Sequence, residues 1–263
     1  MRQVFAADAL NGRKALVFGA SRGLGRAAAE QLAAMGAEVA LLSRSAERLE
    51  AVADELAGRY GVKAAFEVAD LADEAALAAV LARHADTDIL VTNCGGPPLG
   101  PFTETPLAEW DRAYRQIVRA VVQATQALLP HMATRGFGRI IMIASRTVKH
   151  PLPRMSISNA LRKALVGIAE TIADEFGSKG ITANLVCPGL TRTERMREVA
   201  AMRAEREGRS QEDIMAELLR PIAAGRAAEP WEIGAAVGFL ASDAAAYVQA
   251  QCLLVDGGRR LGC

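Results

Sequence analysis

A glycine-rich turn near the N-terminus has a residue spacing suited to binding a phosphate. The chain runs from an apolar segment, KALVFG, into Gly19-Ala20-Ser21-Arg22-Gly23-Leu24-Gly25 and then into an alanine-rich segment. Glycines there allow a tight turn and let the backbone approach a pyrophosphate, which the N-terminus of the following helix would stabilise. The pattern therefore predicts a dinucleotide-binding turn made of Gly19, Ser21, Arg22, Gly23, Leu24 and Gly25.

The end of the second apolar segment indicates which dinucleotide binds. In parallel α/β folds an acidic residue at this place binds the ribose 2′-OH of NAD, whereas an arginine accommodates the 2′-phosphate of NADP. The segment EVALLS ends in Ser43-Arg44, and Glu38 lies at its opposite end. Arg22 in the glycine turn adds a second guanidinium that can bind phosphate bidentately. The sequence therefore favours NADP(H) over NAD(H).

The segments that must position these residues alternate between two patterns. Short apolar, β-branched runs alternate with amphipathic runs of helical period, which is typical of a parallel sheet wrapped by helices. The strand candidates are KALVFG, EVALLS, KAAFEV, DILVTN, GRIIMIAS, ITANLVC and CLLVDG. The helix candidates are 26–35, 46–59, 74–84, 107–132, 159–176 and 229–240. We expect residues 1–263 to form a single α/β domain, a doubly wound Rossmann fold with a seven-stranded parallel sheet.

The segment at 191–220 fits this alternation poorly. It is highly charged, it has a helical pattern, and it follows the strand candidate ITANLVC. Open α/β sheets bind their ligands at the carboxyl ends of their strands. We therefore expect a lid over a substrate pocket; the alternative is a solvated helical excursion.

Composition excludes several classes of protein. The 263 residues carry 31 basic and 30 acidic side chains, so nothing argues for a nucleic-acid partner. The cysteines Cys94, Cys187, Cys252 and Cys263 are widely separated, which indicates neither a metal site nor a disulfide framework. No apolar run approaches the roughly 18 residues that would span a bilayer, and the N-terminus lacks the apolar core of a signal peptide. We expect a cytoplasmic protein without a membrane partner.

Motifs beyond the glycine turn resemble those of the short-chain dehydrogenases/reductases over nearly the whole chain. Asp70-Leu71 looks like the family's adenine-contacting pair, and TNCG at 92–95 stands where the family has N-N-A-G. NLVCPG at 184–189 resembles the family's N-x-x-x-P-G, whose backbone borders the nicotinamide, and VDGG resembles its C-terminal signature. The resemblance adds these residues to the expected cofactor site: Asp70, Leu71, Asn93, Gly95, Pro188, Gly189, Leu190, Thr191 and Thr193.

The same resemblance implies an oxidoreductase, similar to β-ketoacyl-carrier-protein reductases, that uses an Asn, Ser, Tyr and Lys tetrad. Ser145 occupies the family's serine position. Counting back from GITANLVCPG without a gap places the tyrosine and lysine positions on Ser158 and Arg162. The asparagine position falls near Ile117. No tyrosine lies between Ser145 and Asn184, so no local change of register restores the tetrad.

The replacements change what this site can do. Ser158 and Arg162 are one helical turn apart and project from the same face, whereas Lys163 points elsewhere. Arginine keeps a charge that can hold a ribose hydroxyl, but it cannot relay a proton. A serine hydroxyl is a far weaker acid than a tyrosine of pKa about 10, and losing a positioned proton donor costs about 10² to 10⁴ in rate. The candidate catalytic residues are Ser145, Ser158 and Arg162, the last of which would also bind the cofactor.

Several interpretations of the function remain open. Lys149, His150 or a water held by Ser145 and Ser158 could supply the proton to a small-molecule or acyl-carrier-linked carbonyl substrate. A second interpretation is an NADP(H)-binding protein without redox activity that acts as a sensor or structural partner. A third is a non-redox reaction, such as an elimination, in the same pocket. The resemblance also implies a homo-oligomer, either a tetramer or a dimer.

Overall fold

A parallel sheet of seven strands lies at the centre of residues 5–258, the part of the chain that the computed structural model describes. The strand order is β3-β2-β1-β4-β5-β6-β7. The strands are β1 (Lys14–Phe18), β2 (Glu38–Ser43), β3 (Ala64–Val68), β4 (Ile89–Thr92), β5 (Gly138–Ile143), β6 (Ile181–Pro188) and β7 (Cys252–Val255). The α/β Rossmann fold predicted from the alternating pattern is confirmed. Cys263 lies outside the described residues.

Helices cover both faces of this sheet. They are α1 (Gly23–Ala34), α2 (Ala46–Tyr60), α3 (Glu74–Arg83), α4 (Leu107–Tyr114), α5 (Ala120–Arg135), α6 (Ser156–Phe176), α7 (Glu194–Glu207), α8 (Gln211–Leu219) and α9 (Pro230–Ala241). Helices α3, α5 and α6 pack on one face, and α1, α2 and α9 pack on the other. None of the helices described is both long enough and apolar enough to span a bilayer.

The central strands are apolar throughout because both of their faces are buried. In β1, Leu16 points into the core under α3, α5 and α6, while the adjacent Val17 points into the core under α1, α2 and α9. Leu16 pairs with Ala40 of β2 on one side and with Leu90 of β4 on the other. The chain order reverses between β1 and β4, and the crevice for a ligand lies at the carboxyl ends of these two strands.

Three elements differ from the sequence expectations. The helix predicted at 107–132 consists of α4, a π-helical turn at Arg115–Arg119, and α5. Helix α6 begins at Ser156, three residues before the predicted start, and the Ser156 hydroxyl donates to the Gly100 carbonyl. The segment at 191–220 contains two helices, α7 and α8, joined at Gly208 in a left-handed conformation.

Candidate active site

The glycine turn after β1 has the backbone conformation that a bound phosphate requires. Gly19 and Gly23 have positive φ values of 63° and 59°, which side chains with a Cβ rarely adopt. A Cβ on Gly25 would lie 2.2 Å from the Gly19 carbonyl oxygen, so α1 can approach β1 this closely only with glycine there. Gly19 and Gly23 are partly exposed and Gly25 is buried, so the glycine turn forms a cradle of backbone at the mouth of the crevice.

The N-terminus of α1 fits an anionic group. Arg22 is its N-cap residue and provides no side-chain cap, and no acidic residue lies in the described first turn. The N–H groups of this turn and the helix dipole are therefore available to a pyrophosphate. The Cγ2 atom of Thr193 lies 3.7 Å from the position that a Cβ on Gly23 would take. The cradle fits a dinucleotide, with the start of the 191–220 segment opposite it.

The ends of β2 and β3 carry the residues expected to recognise the adenosine half of the cofactor, Arg44 and Asp70. The Arg44 guanidinium is exposed and lies 3.8 Å from the Asp70 carboxylate. Asp70 accepts hydrogen bonds from the Ala72 N–H at 2.9 Å and from the Gln116 amide at 3.1 Å. Burial raises the pKa of Asp70, but these two hydrogen bonds and the Arg44 charge outweigh it and hold the pKa below its usual value. Asp70 is therefore an ionised and oriented acceptor near neutral pH.

Ser145 lies at the carboxyl end of β5, as expected for a residue that contacts substrate. Its Oγ accepts a hydrogen bond from the Thr147 N–H at 3.2 Å and caps the short 3₁₀ turn Arg146–Val148. His150, which follows this turn, is half-buried, and Lys149 is exposed. Ser158 is buried in the first turn of α6.

Arg162 is buried one turn further along α6, and its guanidinium binds the backbone that leads to Ser145. Its Nη1 donates to the carbonyls of Ile143 and Ala144, both at 3.0 Å. Its Nη2 lies 3.9 Å from the Cys94 Sγ. Arg162 therefore connects α6 to the ends of β5 and β4 and orients the residue immediately after Ala144. Nothing in the sequence pattern indicates these carbonyl contacts.

A small cavity of about 10 Å³ lies beside the Arg162 guanidinium. Its lining includes Asn93, Cys94, Gln116 and Ile117. Such a volume holds at most about one water molecule. Ile117, at the family's asparagine position, is buried within the π-helical turn. π-Helical turns are frequent at functional sites, so the helix keeps a local distortion here although the polar side chain is missing.

Cys94 at this cavity is a poor nucleophile. Burial raises the pKa of its thiol, and the Arg162 charge offsets this only in part. Burial also raises the pKa of Cys187 to about 12. A thiol must lose its proton to react, so neither side chain supplies a nucleophile near neutral pH.

The residue after Ser145 is a buried cation that sequence reasoning missed. The Arg146 side chain is only 4% exposed, and its Nε lies 3.6 Å from the Asp256 carboxylate. Its Nε and Nη2 have no hydrogen-bond partner within residues 5–258. Asp256 lies in the VDGG sequence, and its Cα would be 2.7 Å from a Cβ on Gly189. The sequence carries no signal for this pair because the partners are far apart in the chain.

The remaining expected cofactor residues come from two loops, after β4 and after β6, that meet near the glycine turn. Asn93 packs against the glycine turn, since its Nδ2 would lie 2.6 Å from a Cβ on Gly19. Thr191 is buried and forms a β-bridge with Ala228. The structure thus brings the glycine turn, the loop after β4 and the loop after β6 to one edge of the sheet.

Comparisons with known proteins agree with this geometry. The family model described as enoyl-(acyl carrier protein) reductase matches residues 19–260. Oxidoreductase UcpA of Escherichia coli is 36% identical over 257 residues, which cover 96% of this chain and 96% of that protein. The 3-oxoacyl-[acyl-carrier-protein] reductase FabG of E. coli is 35% identical over 248 residues, which cover 94% of this chain and 97% of that protein.

A solved structure with a bound cofactor is also similar. The L-sorbose reductase of Gluconobacter frateurii, solved with NADPH and L-sorbose, superposes with a TM-score of 0.91 at 29% identity. The match covers 98% of this chain and the whole of that one, 100%. The similarity therefore extends over the sheet, the helices and the 191–220 segment.

Proposed function

Because the chain belongs to the short-chain dehydrogenase/reductase family, we propose that it is an NADP(H)-dependent oxidoreductase that interconverts a carbonyl group and an alcohol. The observation that carries this proposal is the glycine cradle at the N-terminus of α1, with Arg22 and Arg44 beside it. The NADPH bound by the similar L-sorbose reductase supports the choice of cofactor.

Each group of residues in the proposed cofactor site would bind a different part of the dinucleotide. The glycine turn holds the pyrophosphate, and Arg22 with Arg44 binds the 2′-phosphate. Asn93, Gly95 and the backbone from Pro188 to Thr193 border the nicotinamide. When bound, the nicotinamide supplies or accepts the hydride.

The protein itself must orient the substrate oxygen and supply a proton. The Ser145 hydroxyl donates a hydrogen bond to that oxygen, while Arg162 would hold the nicotinamide ribose and orients the strand end that carries Ser145. Arg162 does not give up its own proton, and Ser158 is too weak an acid. The proton therefore comes from a water held by Ser145 and Ser158, or from Lys149 or His150.

Substrate class follows from the relatives rather than from the site. The curated relatives include a 3-oxoacyl-carrier-protein reductase, and a structural relative binds L-sorbose. We therefore propose a carbonyl substrate that is either a small molecule, like the sugar bound by the second relative, or linked to an acyl carrier, as for the first. The 191–220 segment would act as a lid over this substrate within a single cytoplasmic domain.

A specific observation favours a second function. Ile117, Ser158 and Arg162 replace three members of the family's tetrad. An NADP(H)-binding protein without redox activity, acting as a sensor or structural partner, would keep the cradle and lose these groups.

Turnover and binding measured on the same purified protein separate these functions. NADPH consumption is followed by absorbance with a panel of ketones, ketoses and 3-oxoacyl thioesters, and NADPH affinity is measured by calorimetry. The oxidoreductase predicts turnover above background with at least one substrate class. Tight NADPH binding without turnover on any member would instead support the non-redox protein.

Restoring the family's proton donor provides a sharper test. Ser158→Tyr together with Arg162→Lys should raise the rate, up to the factor of about 10² to 10⁴ that a positioned proton donor contributes. Arg162→Lys alone is the matched control, and it should give no such gain because it adds no acid. A double variant that keeps its fold by circular dichroism and binds NADPH, yet reacts no faster, would show that the substrate pocket has diverged.

A further inference from the structure

Helix α7 contacts both sides of the cofactor crevice. Its N-cap residue Thr193 stands opposite Gly23 and accepts a hydrogen bond from the Met196 N–H at 3.3 Å. Arg195, in its first turn, donates to the Pro97 carbonyl at 3.2 Å, in the loop that follows β4. The helix therefore spans the mouth of the crevice from the glycine turn to the opposite loop.

Two carboxylates of this helix bind the arginine of the glycine turn. Arg22 Nη1 forms an ion pair with Glu194 and lies 3.6 Å from Glu198 Oε1. The two glutamates are one helical turn apart and so face Arg22 together. Glu198 also lies 3.5 Å from Arg195 Nη1, which connects the Arg22 contact to the one that spans the crevice.

A carboxylate and a phosphate use the same donors of a guanidinium. Both ligands bind the planar fork of arginine through paired N–H groups, so occupancy by one excludes the other. The hydrogen bond from Arg22 holds the pKa of Glu194 below its usual value, so this competitor is ionised near neutral pH. The side chains of Arg22 and Glu194 are each 49% exposed, so the ion pair is weak enough for a phosphate to displace it.

The other arginine at the 2′-phosphate site is not subject to this competition. Arg44, just after β2, has its ion pair with Asp70, and among residues 5–258 neither Glu194 nor Glu198 forms an ion pair with Arg44. Its carboxylate partner belongs to the expected adenosine site itself. The effect of the α7 glutamates is therefore specific to Arg22.

We propose that Glu194 and Glu198 are specificity-determining residues for the cofactor. They compete with the 2′-phosphate of NADP(H) for Arg22 and so weaken NADP(H) binding relative to NAD(H), which has no phosphate at that position. This inference rests on the proposed function, since it assumes that the crevice binds a nicotinamide dinucleotide.

Cofactor affinities of charge-neutralised variants test the inference without any assay of turnover. Dissociation constants for NADPH and NADH are measured by cofactor fluorescence on the full chain and on Glu194→Gln/Glu198→Gln. We expect NADPH to bind about fivefold more tightly to the double variant, as removal of exposed ion pairs allows, with the NADH constant unchanged. Glu205→Gln, an exposed glutamate of α7 outside the Arg22 contact, is the matched control and should change neither constant.

The same substitutions in a protein that lacks Arg22 test whether the effect depends on that residue. In Arg22→Ala protein the two glutamine substitutions should leave the ratio of the NADPH and NADH constants unchanged, because the group they compete for is gone. Equal shifts for both cofactors, or a gain that persists without Arg22, would overturn the inference. With Arg22 present, an unchanged ratio of the two constants in Glu194→Gln/Glu198→Gln protein that binds NADPH would overturn the inference and leave the proposed function standing. Wild-type protein that binds neither cofactor would overturn both.

Discussion

The contacts of Arg162 add a structural role to the cofactor-binding role predicted from its position. Its position predicts a cation that holds the cofactor ribose, and its contacts show a guanidinium bound to the carbonyls of Ile143 and Ala144. A buried arginine in these contacts orients the strand end that carries Ser145. The ribose contact stays a prediction, and both roles are open to one experiment.

Removing the guanidinium should affect stability and binding together. In Arg162→Ala the two carbonyls lose their donor, which costs about 1 to 3 kcal/mol of unfolding free energy. We also expect weaker NADPH binding by calorimetry. Lys163→Ala is the matched control, because this neighbour is exposed and its truncation should change stability by less than about 0.5 kcal/mol. An Arg162→Ala protein with wild-type stability and NADPH affinity would rule out both roles.

The buried pair of Arg146 and Asp256 makes a separate prediction. Asp256→Asn leaves a cation with almost no exposure without its counter-charge, which should cost about 3 to 5 kcal/mol in urea unfolding. Asp243→Asn is the control because its partner Arg139 is also buried, but the Asp243 carboxylate is 83% exposed and the pair is therefore solvated. If both substitutions lowered the free energy of unfolding equally, burial of the carboxylate would not be what determines the loss.

Helices α7 and α8 form a hairpin with its own small core. Ala200, Ala204 and Ile214 make a cluster separate from the two cores of the sheet. Glu217 on α8 forms ion pairs with Arg203 of α7 and with Arg209 in the turn between the two helices. A segment with few apolar contacts and several ion pairs is expected to open locally before the whole domain unfolds.

Breaking the ion pairs should loosen this hairpin selectively. Glu217→Gln removes a carboxylate that two arginines share, and these arginines hold the pKa of Glu217 below its usual value. We expect trypsin to cut within 191–220 about two to three times faster in this variant, with an unchanged melting temperature for the sheet. Glu212→Gln, an exposed change on the same helix, should leave the cleavage rate as it is. Faster cleavage elsewhere in the chain would contradict a local effect.

At the scale of the whole molecule, apolar side chains remain exposed on and near α4. Leu107 is 80% exposed, Phe102 is 74% exposed and Tyr114 is half-exposed. Neighbouring exposed apolar residues of this size often mark a protein interface. Leu107 and Tyr114 are seven residues apart on one side of α4, and the family resemblance implies a homo-oligomer, so this face is where we expect a second copy.

A charge placed on that face should shift the oligomeric state. Leu107→Glu is expected to convert a tetramer to dimers, or a dimer to monomers, in size-exclusion chromatography with light scattering, because a buried unpaired carboxylate destabilises an interface. Met202→Glu, a half-exposed position on α7, is the control and should leave the mass unchanged. A wild-type protein that is monomeric at high concentration would refute the expected assembly.

The fold and the cofactor cradle could be predicted because their signals are local. Apolar runs of strand length alternate with helical periods, and the glycine turn joins one strand to the next helix within a few residues. Burial of every residue in β5 and β6 explains why these strands were easy to recognise. The start of α6 was predicted three residues late, because the Gly100 carbonyl that accepts a hydrogen bond from Ser156 is distant in the sequence.

The residue types alone determined the parallel sheet, the dinucleotide turn and the missing tyrosine, since each depends on neighbours in the sequence. Only the tertiary structure decided what the charged groups contact. Arg22 meets Glu194 across 172 residues, and Arg162 reaches Ile143 across 19. The physical reason is that loops from different strands meet at the carboxyl edge of the sheet. The ion-pair or hydrogen-bond partner of a charged side chain on one loop therefore depends on which other loop the fold places beside it.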